Sequence, residues 1–195
     1  GSPAVAVIKL PHISNFNDFD PLAHLEELQL AYLEKCQPLD GYQAVILPGT
    51  KSTCHDLQWL HQTGWTDALQ RFAADGGHIL GICGGYQMLG HRVHDPDGLE
   101  GDPGSVPGLS LLPVETELKA PKTTTLTDFV WDQIQGRGYE IHMGQTERFH
   151  GDPLFRILER NRTACDTEDG CVTSDKRIMG TYIHGLFDTP GILER

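Results

Sequence analysis

The chain has few basic residues and no long apolar run. Its 195 residues include 15 Lys and Arg against 27 Asp and Glu, which gives a formal net charge of −12. Nucleic acids and anionic membranes are bound through clustered Lys and Arg, so we expect neither as a partner. No apolar stretch approaches the roughly 20 residues of a membrane-spanning helix, and the amino terminus does not resemble a signal peptide. These absences predict a cytoplasmic protein.

The cysteines do not form a disulfide or metal-binding pattern. There are five of them, an odd number at irregular spacing, which is typical of a protein from a reducing compartment. The nearest approaches to metal-ligand pairs are His91-x-x-His94 and Cys165-x5-Cys171, and neither has a second pair at the spacing of a zinc site. We therefore expect no metal ion and no cofactor in this chain.

A phosphate loop is also missing. Gly49-Thr50-Lys51-Ser52 resembles the end of one, but a phosphate loop needs Gly and Lys side by side and a second Gly five residues earlier. Binding of ATP by that route is excluded. The length allows one domain with a substantial core, which we assign to residues 1–195. We interpret Gly1-Ser2 as the remnant of an expression tag.

Apolar segments and helical patterns alternate in the first half of the chain. Buried parallel strands are predicted at residues 4–10, 43–47, 78–82 and 178–183. Helices are predicted at residues 20–36, 53–60, 64–74 and 84–90. Such alternation favours βαβ units and a parallel sheet.

The pattern changes after residue 90. Residues 95–108 are rich in Gly and Pro and predict a loop. Short antiparallel strands are predicted at residues 109–118, 138–149 and 171–174, with the start of a closing helix at 191–195. The predicted fold is a flavodoxin-like, three-layer α/β sandwich with a mostly parallel central sheet and antiparallel additions.

One cysteine stands between glycines where a predicted strand ends, in Gly81-Ile82-Cys83-Gly84-Gly85. This pattern is typical of a nucleophile elbow, in which a strand turns sharply into a helix and small neighbours allow the close approach. A thiol at a helix N-terminus also has its thiolate favoured by the partial positive charge there. A cysteine that merely filled the core would not need glycines on both sides, so we interpret Cys83 as a nucleophile.

A cysteine nucleophile needs a base that is close in space but not necessarily in sequence. Of the ten histidines, His184 ends a predicted strand at a His-Gly turn, and His142 is the only serious competitor. In open α/β sheets the site lies beyond the carboxyl ends of the strands. Gly49, Cys83 and His184 each follow a predicted strand, so we expect them to converge on one edge.

Five segments together resemble the class I, or triad-type, glutamine amidotransferases: residues 7–22, 47–53, 81–90, 138–144 and 180–188. They run through nearly the whole chain in the family's order. Within that class the finer resemblance is to glutaminase domains that supply ammonia for the amidation of corrinoid side-chain carboxylates. The resemblance implies that Cys83 attacks the carboxamide of L-glutamine and that His184 transfers the protons through a thioester intermediate.

The resemblance also implies roles for other residues. Backbone N–H groups of Gly84 and of the Gly49–Thr50 loop would form the oxyanion hole, and Gln87 and Tyr86 would contact the substrate.

The third member of the triad departs from the family pattern. Many members of the class carry a glutamate two residues after the catalytic histidine, where this chain has Leu186. Asp188 and Glu140 are the carboxylates in matching segments, and a Cys–His dyad without an acid is also acceptable chemistry. The choice between these alternatives stays open at this point.

The resemblance further implies an ATP-binding synthetase domain, with ATP and Mg²⁺, that lies outside this chain and acts on the corrinoid acceptor. We therefore expect the chain to be one domain of a longer protein. The alternatives are a glutaminase subunit for another acceptor, such as a cell-wall lipid, a cysteine hydrolase of peptides or esters, and a catalytically silent binding or regulatory domain.

Overall fold

The computed structural model describes residues 3–188, and the predicted tag remnant and closing helix lie outside this range. The strands, numbered in chain order, are β1 (Ala4–Ile8), β2 (Gln29–Leu33), β3 (Ala44–Leu47), β4 (His78–Ile82), β5 (Arg92–Asp95), β6 (Gly104–Pro107), β7 (Val114–Glu117), β8 (Thr123–Trp131), β9 (Ile134–His142), β10 (Gln145–Arg148), β11 (Phe155–Arg160), β12 (Thr163–Asp169), β13 (Cys171–Val172), β14 (Ile178–Thr181) and β15 (Ile183–His184). The helices are α1 (Asp20–Ala23), α2 (Thr53–Thr63), α3 (Trp65–Ala74) and α4 (Gly84–Leu89), with 3₁₀ turns at Phe16–Phe19 and Leu186–Asp188.

The central sheet has six strands in the order β13-β14-β4-β3-β1-β2. All neighbours in it pair in parallel except β13, which pairs antiparallel with β14 at one edge. From β2 to β14 the order is that of a flavodoxin-like doubly wound sheet, in which ligands bind beyond the carboxyl ends of the strands. The predicted fold class is confirmed. The four predicted buried strands correspond to β1, β3, β4 and β14, but Ile183, predicted to end the last of them, lies in β15, which pairs antiparallel with β9.

The predicted helix over residues 20–36 is wrong. Helix α1 ends at Ala23, and the chain then forms β2, which pairs in parallel with β1 at the edge of the sheet. The leucines at helical spacing do not share one buried face, since Leu22 is buried and Leu25 is exposed. Hydrogen bonds from the edge of β1 outweigh the local helical pattern, as tertiary context often does.

Two smaller sheets follow the central one. The first has the order β10-β7-β5-β6, and the second has the order β12-β11-β8-β9-β15. The segment predicted to be a loop, residues 95–108, contains strand β6. This strand forms because it pairs antiparallel with β5. Strands β8, β11 and β12 have no counterpart among the predicted strands. Their buried positions alternate with polar ones and include threonines, as at Thr125 and Thr127, which makes the apolar pattern weak.

Two groups of buried side chains hold these sheets together. The larger one covers the central sheet and its helices, and α4 packs on β3, β4 and β14 within it. The smaller one is centred on Phe129, Phe155 and Ile183, which lie in β8, β11 and β15 of the five-stranded sheet. Among residues 3–188, no helix has the length and apolar character needed to cross a membrane.

Candidate active site

Cys83 lies at the turn between β4 and α4 with strained backbone angles, φ 54° and ψ −111°. Positive φ is rare for a residue with a side chain and costs of order 1–3 kcal/mol, so the surrounding structure must hold it. The Cys83 N–H donates to the carbonyl of Thr181 on β14 at 2.8 Å, which helps to fix the turn. The thiol donates to the carbonyl of Ile141 at 3.2 Å and is largely buried.

Two glycines permit this turn because backbone passes very close to them. A Cβ on Gly81 would lie 2.6 Å from the carbonyl oxygen of Gly85, and a Cβ on Gly85 would lie 2.0 Å from that of Leu47. Strand β4, helix α4 and the end of β3 therefore meet at the elbow more closely than alanine would allow.

His184 lies in β15, directly beyond the carboxyl end of β14, and its side chain is fully buried. Its Nδ1 donates to Oδ2 of Asp18 at 2.7 Å, and the other oxygen of Asp18 accepts from the N–H of Gly185 at 2.9 Å. The ring of Tyr139 stacks on the imidazole with centroids 5.2 Å apart. The imidazole is thus held on one face and at one nitrogen.

The other nitrogen, Nε2 of His184, is buried and has no hydrogen-bond partner among the described residues. Burial opposes protonation of His184, but its hydrogen bond to Asp18 and its closeness to Cys83 outweigh this effect and raise its pKa to about 9. A histidine of this kind favours the thiolate–imidazolium pair on which cysteine nucleophiles depend.

The acid that orients His184 is Asp18, a residue that the sequence analysis did not single out. Asp188 and Glu140, the two carboxylates that the sequence left open for this role, are not the acid that meets Nδ1 of His184. Glu140 accepts from Thr127 at 2.7 Å and from Arg160 at 3.2 Å. Asp188 lies in the turn after His184, where its N–H donates to the carbonyl of Gly185. Asp18 follows β1 at the carboxyl edge of the sheet. The reasoning that places Gly49, Cys83 and His184 at this edge, because each follows a parallel strand, applies to Asp18 as well.

The predicted oxyanion-hole residues lie together. A Cβ on Gly84 would be 2.4 Å from Cγ2 and 3.3 Å from the backbone N of Thr50. The N–H groups of Thr50 and Gly84 donate to no acceptor in residues 3–188. Gly49 lies against the imidazole, since a Cβ there would be 3.1 Å from Cε1 of His184. Two free N–H groups therefore stand beside Cys83 and His184.

The Thr50 loop is fixed from two sides. Its hydroxyl donates to Oδ2 of Asp56 at 2.6 Å, and the loop pairs with the segment after β1 through a bridge between Ile13 and Thr50. The N–H of Ser14 donates to the carbonyl of Gly49 at 2.9 Å. These bonds pre-organise the loop backbone.

A cleft of about 420 Å³ opens above Cys83, a size within the range of small-ligand sites. Its lining carries three charged side chains, Lys51, Lys122 and Glu100. Glu100 accepts from the N–H of Cys54 at the start of α2 at 3.0 Å, and burial raises its pKa.

The two residues predicted to contact substrate are placed differently. Gln87 lines the cleft, and its amide is held by Thr53 at 3.0 Å, Tyr182 at 3.1 Å and the carbonyl of Met143 at 3.1 Å. Tyr86 is buried beneath Gly180 and meets the ring of Tyr182 edge-on. The structure gives Tyr86 a packing role in the core and not a place on the cleft wall.

His142, the competitor for the role of base, also lines the cleft. Its ring stacks on Tyr182 at 3.8 Å, and its Nε2 lies 3.4 Å from Oε1 of Glu140. Glu140 thus pairs with His142 and not with His184. Because Asp18 orients His184 and the pKa of His184 responds to Cys83, the structure favours His184 as the partner of the thiol.

Comparison with known proteins agrees with this site. A family model described as the CobB/CobQ-like glutamine amidotransferase domain matches residues 4–191. Two relatives, both called cobyric acid synthase, are 46% identical: that of Chlorobium phaeobacteroides over 98% of this chain, and that of Chlorobaculum tepidum over 96%. The matches cover 39% and 38% of those proteins, so the chain spans about two fifths of their length.

Among solved structures, PurLQS from Thermotoga maritima aligns with a TM-score of 0.71 over 94% of this chain and 88% of that one. At 16% identity this likeness shows a shared fold. The family match extends over nearly the whole described chain, from β1 to the turn after His184. The chain belongs to the CobB/CobQ-like glutamine amidotransferase domain family.

Proposed function

We propose that this chain is a single glutaminase domain that hydrolyses L-glutamine to glutamate and ammonia. The observation that carries this proposal is the set formed by Asp18, His184 and Cys83 beside the free N–H groups of Thr50 and Gly84. A nucleophile, an oriented base and paired oxyanion donors are the parts that acyl transfer requires.

The first half-reaction forms a thioester. His184 takes the thiol proton at Nε2, and the Cys83 sulfur bonds to the carboxamide carbon. The carbonyl oxygen becomes an oxyanion, which the N–H groups of Thr50 and Gly84 stabilise. The imidazolium then gives its proton to the amide nitrogen, the C–N bond breaks, and ammonia leaves. Asp18 holds the imidazole in place and stabilises its charged form throughout.

The second half-reaction hydrolyses the thioester. His184 removes a proton from water, whose oxygen bonds to the thioester carbon, and a second oxyanion forms in the same place. The C–S bond breaks, the thiolate of Cys83 takes back the proton, and glutamate leaves. The cycle consumes one water molecule and leaves the protein unchanged.

The charges of the cleft suit the free amino acid. With the carboxamide at Cys83, the α-ammonium and α-carboxylate groups of glutamine lie toward the cleft wall, which offers the carboxylate of Glu100 and the ammonium groups of Lys51 and Lys122. We assign recognition of the α-ammonium group to Glu100, because burial strengthens its attraction for a cation.

The ammonia would serve an ATP-dependent amidation of corrinoid side-chain carboxylates. The names of the two cobyric acid synthases support this role, and the roughly three fifths of their length not matched by this chain leaves room for a synthetase domain. On this proposal ATP and Mg²⁺ act in that domain, which is also the partner of the chain.

The glutaminase proposal is tested by labelling and by assay. Diazo-oxo-norleucine, a reactive glutamine analogue, is expected to add once to the protein at Cys83, as read by mass spectrometry of peptides. Cys83→Ser is expected to lose labelling and at least about 10³-fold in glutamate release while keeping its melting temperature. Substantial activity in this variant would overturn the assignment of the nucleophile.

The acceptor is tested separately, in a longer protein that contains this chain. With ATP, glutamine and cobyrinic acid a,c-diamide, amidation of the corrinoid is expected, and Cys83→Ser is expected to need added ammonium salt. Amidation of a cell-wall lipid in place of the corrinoid would retain the glutaminase and overturn the acceptor.

A further inference from the structure

We propose that His12, His55 and Asp56 form a binding site for one divalent ion of the zinc class, outside the catalytic cleft. One candidate ligand atom from each residue lies within 4.8 Å of the other two. Nδ1 of His12 is 2.6 Å and Nδ1 of His55 is 3.8 Å from Oδ1 of Asp56. Two imidazoles thus point to one carboxylate oxygen.

The fold brings these residues together from two places in the sequence. His12 follows β1 at the carboxyl edge of the central sheet, and His55 and Asp56 lie in the first turn of α2. The separation of 44 residues between His12 and Asp56 explains why no metal-ligand spacing is visible in the sequence.

The distances fit an ion after small side-chain movements. Tetrahedral Zn²⁺ with ligands at 2.0–2.1 Å places the ligand atoms about 3.3 Å apart. The distance between Nδ1 of His12 and Oδ1 of Asp56 must therefore increase from 2.6 Å, and the distance between Nδ1 of His55 and the same oxygen must decrease from 3.8 Å. Both imidazoles can move, because the side chains of His12 and His55 are 42% and 63% exposed.

The carboxylate, in contrast, is already fixed. Asp56 is fully buried, and its Oδ2 accepts from the hydroxyl of Thr50 at 2.6 Å and from the N–H of His12 at 3.1 Å. Among the described residues its ion-pair partners are only the two histidines. These hydrogen bonds hold the carboxylate in place, and an ion would add a full positive charge beside its Oδ1.

The donor set selects the kind of ion. Two imidazoles and one carboxylate suit Zn²⁺, Co²⁺ or Ni²⁺, whereas Mg²⁺ and Ca²⁺ need more oxygen ligands. Water would complete the coordination on the exposed side. The partial positive charge at the start of α2 opposes a cation, so the Asp56 carboxylate is necessary for binding.

Binding of the ion would also affect the catalytic site. The ion and the hydroxyl of Thr50 would share Asp56, so the ion would stiffen the loop that carries the Thr50 N–H.

The test uses Co²⁺ and Zn²⁺ on the Cys83→Ser protein, since a thiolate beside His184 would itself bind these ions. We expect one Co²⁺ per chain with visible absorption of four- or five-coordinate cobalt, displaced by Zn²⁺. A hundredfold excess of Zn²⁺ over its Kd is expected to raise the melting temperature by several degrees.

Adding His55→Ala to the Cys83→Ser protein is expected to weaken Co²⁺ binding at least tenfold. Because the His55 side chain is exposed, we expect this variant to remain folded. His24→Ala, at another exposed histidine, is the matched control and is expected to bind as the parent does. Equal binding with and without His55, or no stoichiometric binding at all, would overturn the proposal.

Discussion

Asp18 connects the sequence segment after β1 to the catalytic imidazole. It accepts from Nδ1 of His184 and from the N–H of Gly185, so it sets both the orientation of the ring and the path of the chain that follows. On the proposed mechanism, its carboxylate also stabilises the imidazolium that forms when Cys83 loses its proton. On that mechanism, the chemistry of the site depends on Asp18 through its effect on His184.

Asp18→Asn is expected to lower kcat for glutamine hydrolysis by about 10²–10⁴-fold. The side-chain amide of the introduced asparagine cannot stabilise the imidazolium form of His184, and it favours the wrong tautomer of the neutral ring. Glutamate release by the purified variant is the measurement. Asp188→Asn, in the neighbouring turn, serves as the control and is expected to stay within about threefold of the parent. A larger loss at Asp188 than at Asp18 would contradict the assigned triad.

The same pair predicts a pH dependence of stability. The pKa of His184 is raised to about 9 in the folded protein, against about 6.5 in an unfolded chain. The stabilisation by the charged ring is therefore complete below about pH 6.5 and is lost as the pH rises through 9.

Asp18→Asn removes the main favourable partner of that charge, so the difference in unfolding free energy between parent and variant is expected to shrink between pH 6 and pH 9.5. Urea unfolding of both proteins at the two pH values measures it, and other titrating groups cancel in the comparison. A difference that grows with pH would show that the pair is not charged in the folded state.

Glu100 is the residue to which we assign the α-ammonium group of the substrate. Glu100→Gln is expected to raise KM for glutamine about tenfold or more with kcat within threefold, because a charge-assisted contact is worth about 1.5–3 kcal/mol. Gln keeps an acceptor for the N–H of Cys54, and Asp97→Asn in the same loop is the control.

A substrate without the α-amino group separates recognition from a general defect. Hydrolysis of glutaramate, which keeps the carboxamide and carboxylate, is expected to be equally fast in Glu100→Gln and the parent. A loss with glutaramate as large as that with glutamine would show that Glu100 acts on the cleft and not on the ammonium group.

At the scale of elements, the elbow depends on how closely β3, β4 and α4 approach one another. Gly85→Ala is expected to lower the free energy of unfolding by about 1–3 kcal/mol, because its Cβ would lie 2.0 Å from the carbonyl oxygen of Leu47 and the backbone must shift. Chemical denaturation gives the value. Gly41→Ala is the matched control, since no atom lies within 4 Å of a Cβ there, and its effect is expected to stay within about 1 kcal/mol.

Strand β9 is a second element on which the site depends. It supplies the ring of Tyr139 that stacks on His184 and the carbonyl of Ile141 that accepts from the Cys83 thiol. The thiol thus bonds to a strand of the five-stranded sheet and not to the imidazole. A small movement of this strand end would release the thiol for His184.

At the scale of the whole molecule, the hydrogen bond between the Cys83 thiol and the carbonyl of Ile141 predicts that glutaminase activity depends on a partner. The chain alone is expected to have a kcat/KM for glutamine at least about tenfold below that of a longer protein containing its synthetase domain, ATP and acceptor. Partner contacts would shift residues 141–143 and free the thiol from the carbonyl of Ile141. Equal rates for the two proteins would show that the chain is fully active by itself.

Much of the fold could be read from the sequence because its strongest signals are local. The buried parallel strands are near-continuous apolar runs, and the elbow at Cys83 is marked by the glycines that its turn requires. The leucines at helical spacing after Asp20 predicted a helix that does not form, since pairing with the edge of β1 decided the structure of residues 29–33. The strands of the five-stranded sheet are held by partners far away in the chain, and their threonine-rich pattern hides them.

By itself, the amino-acid sequence determined the parallel core, the nucleophile elbow and the strand end that presents His184. These features follow from local apolar patterns and from backbone turns that only small residues allow. Only the tertiary structure decided that Asp18 orients His184, that Glu140 belongs to His142, and that His12 meets His55 and Asp56. The pairings of Asp18 with His184 and of His12 with Asp56 join residues from distant segments. They escape a reading of the sequence because sheet order and side-chain direction, not spacing along the chain, bring these residues within hydrogen-bonding distance.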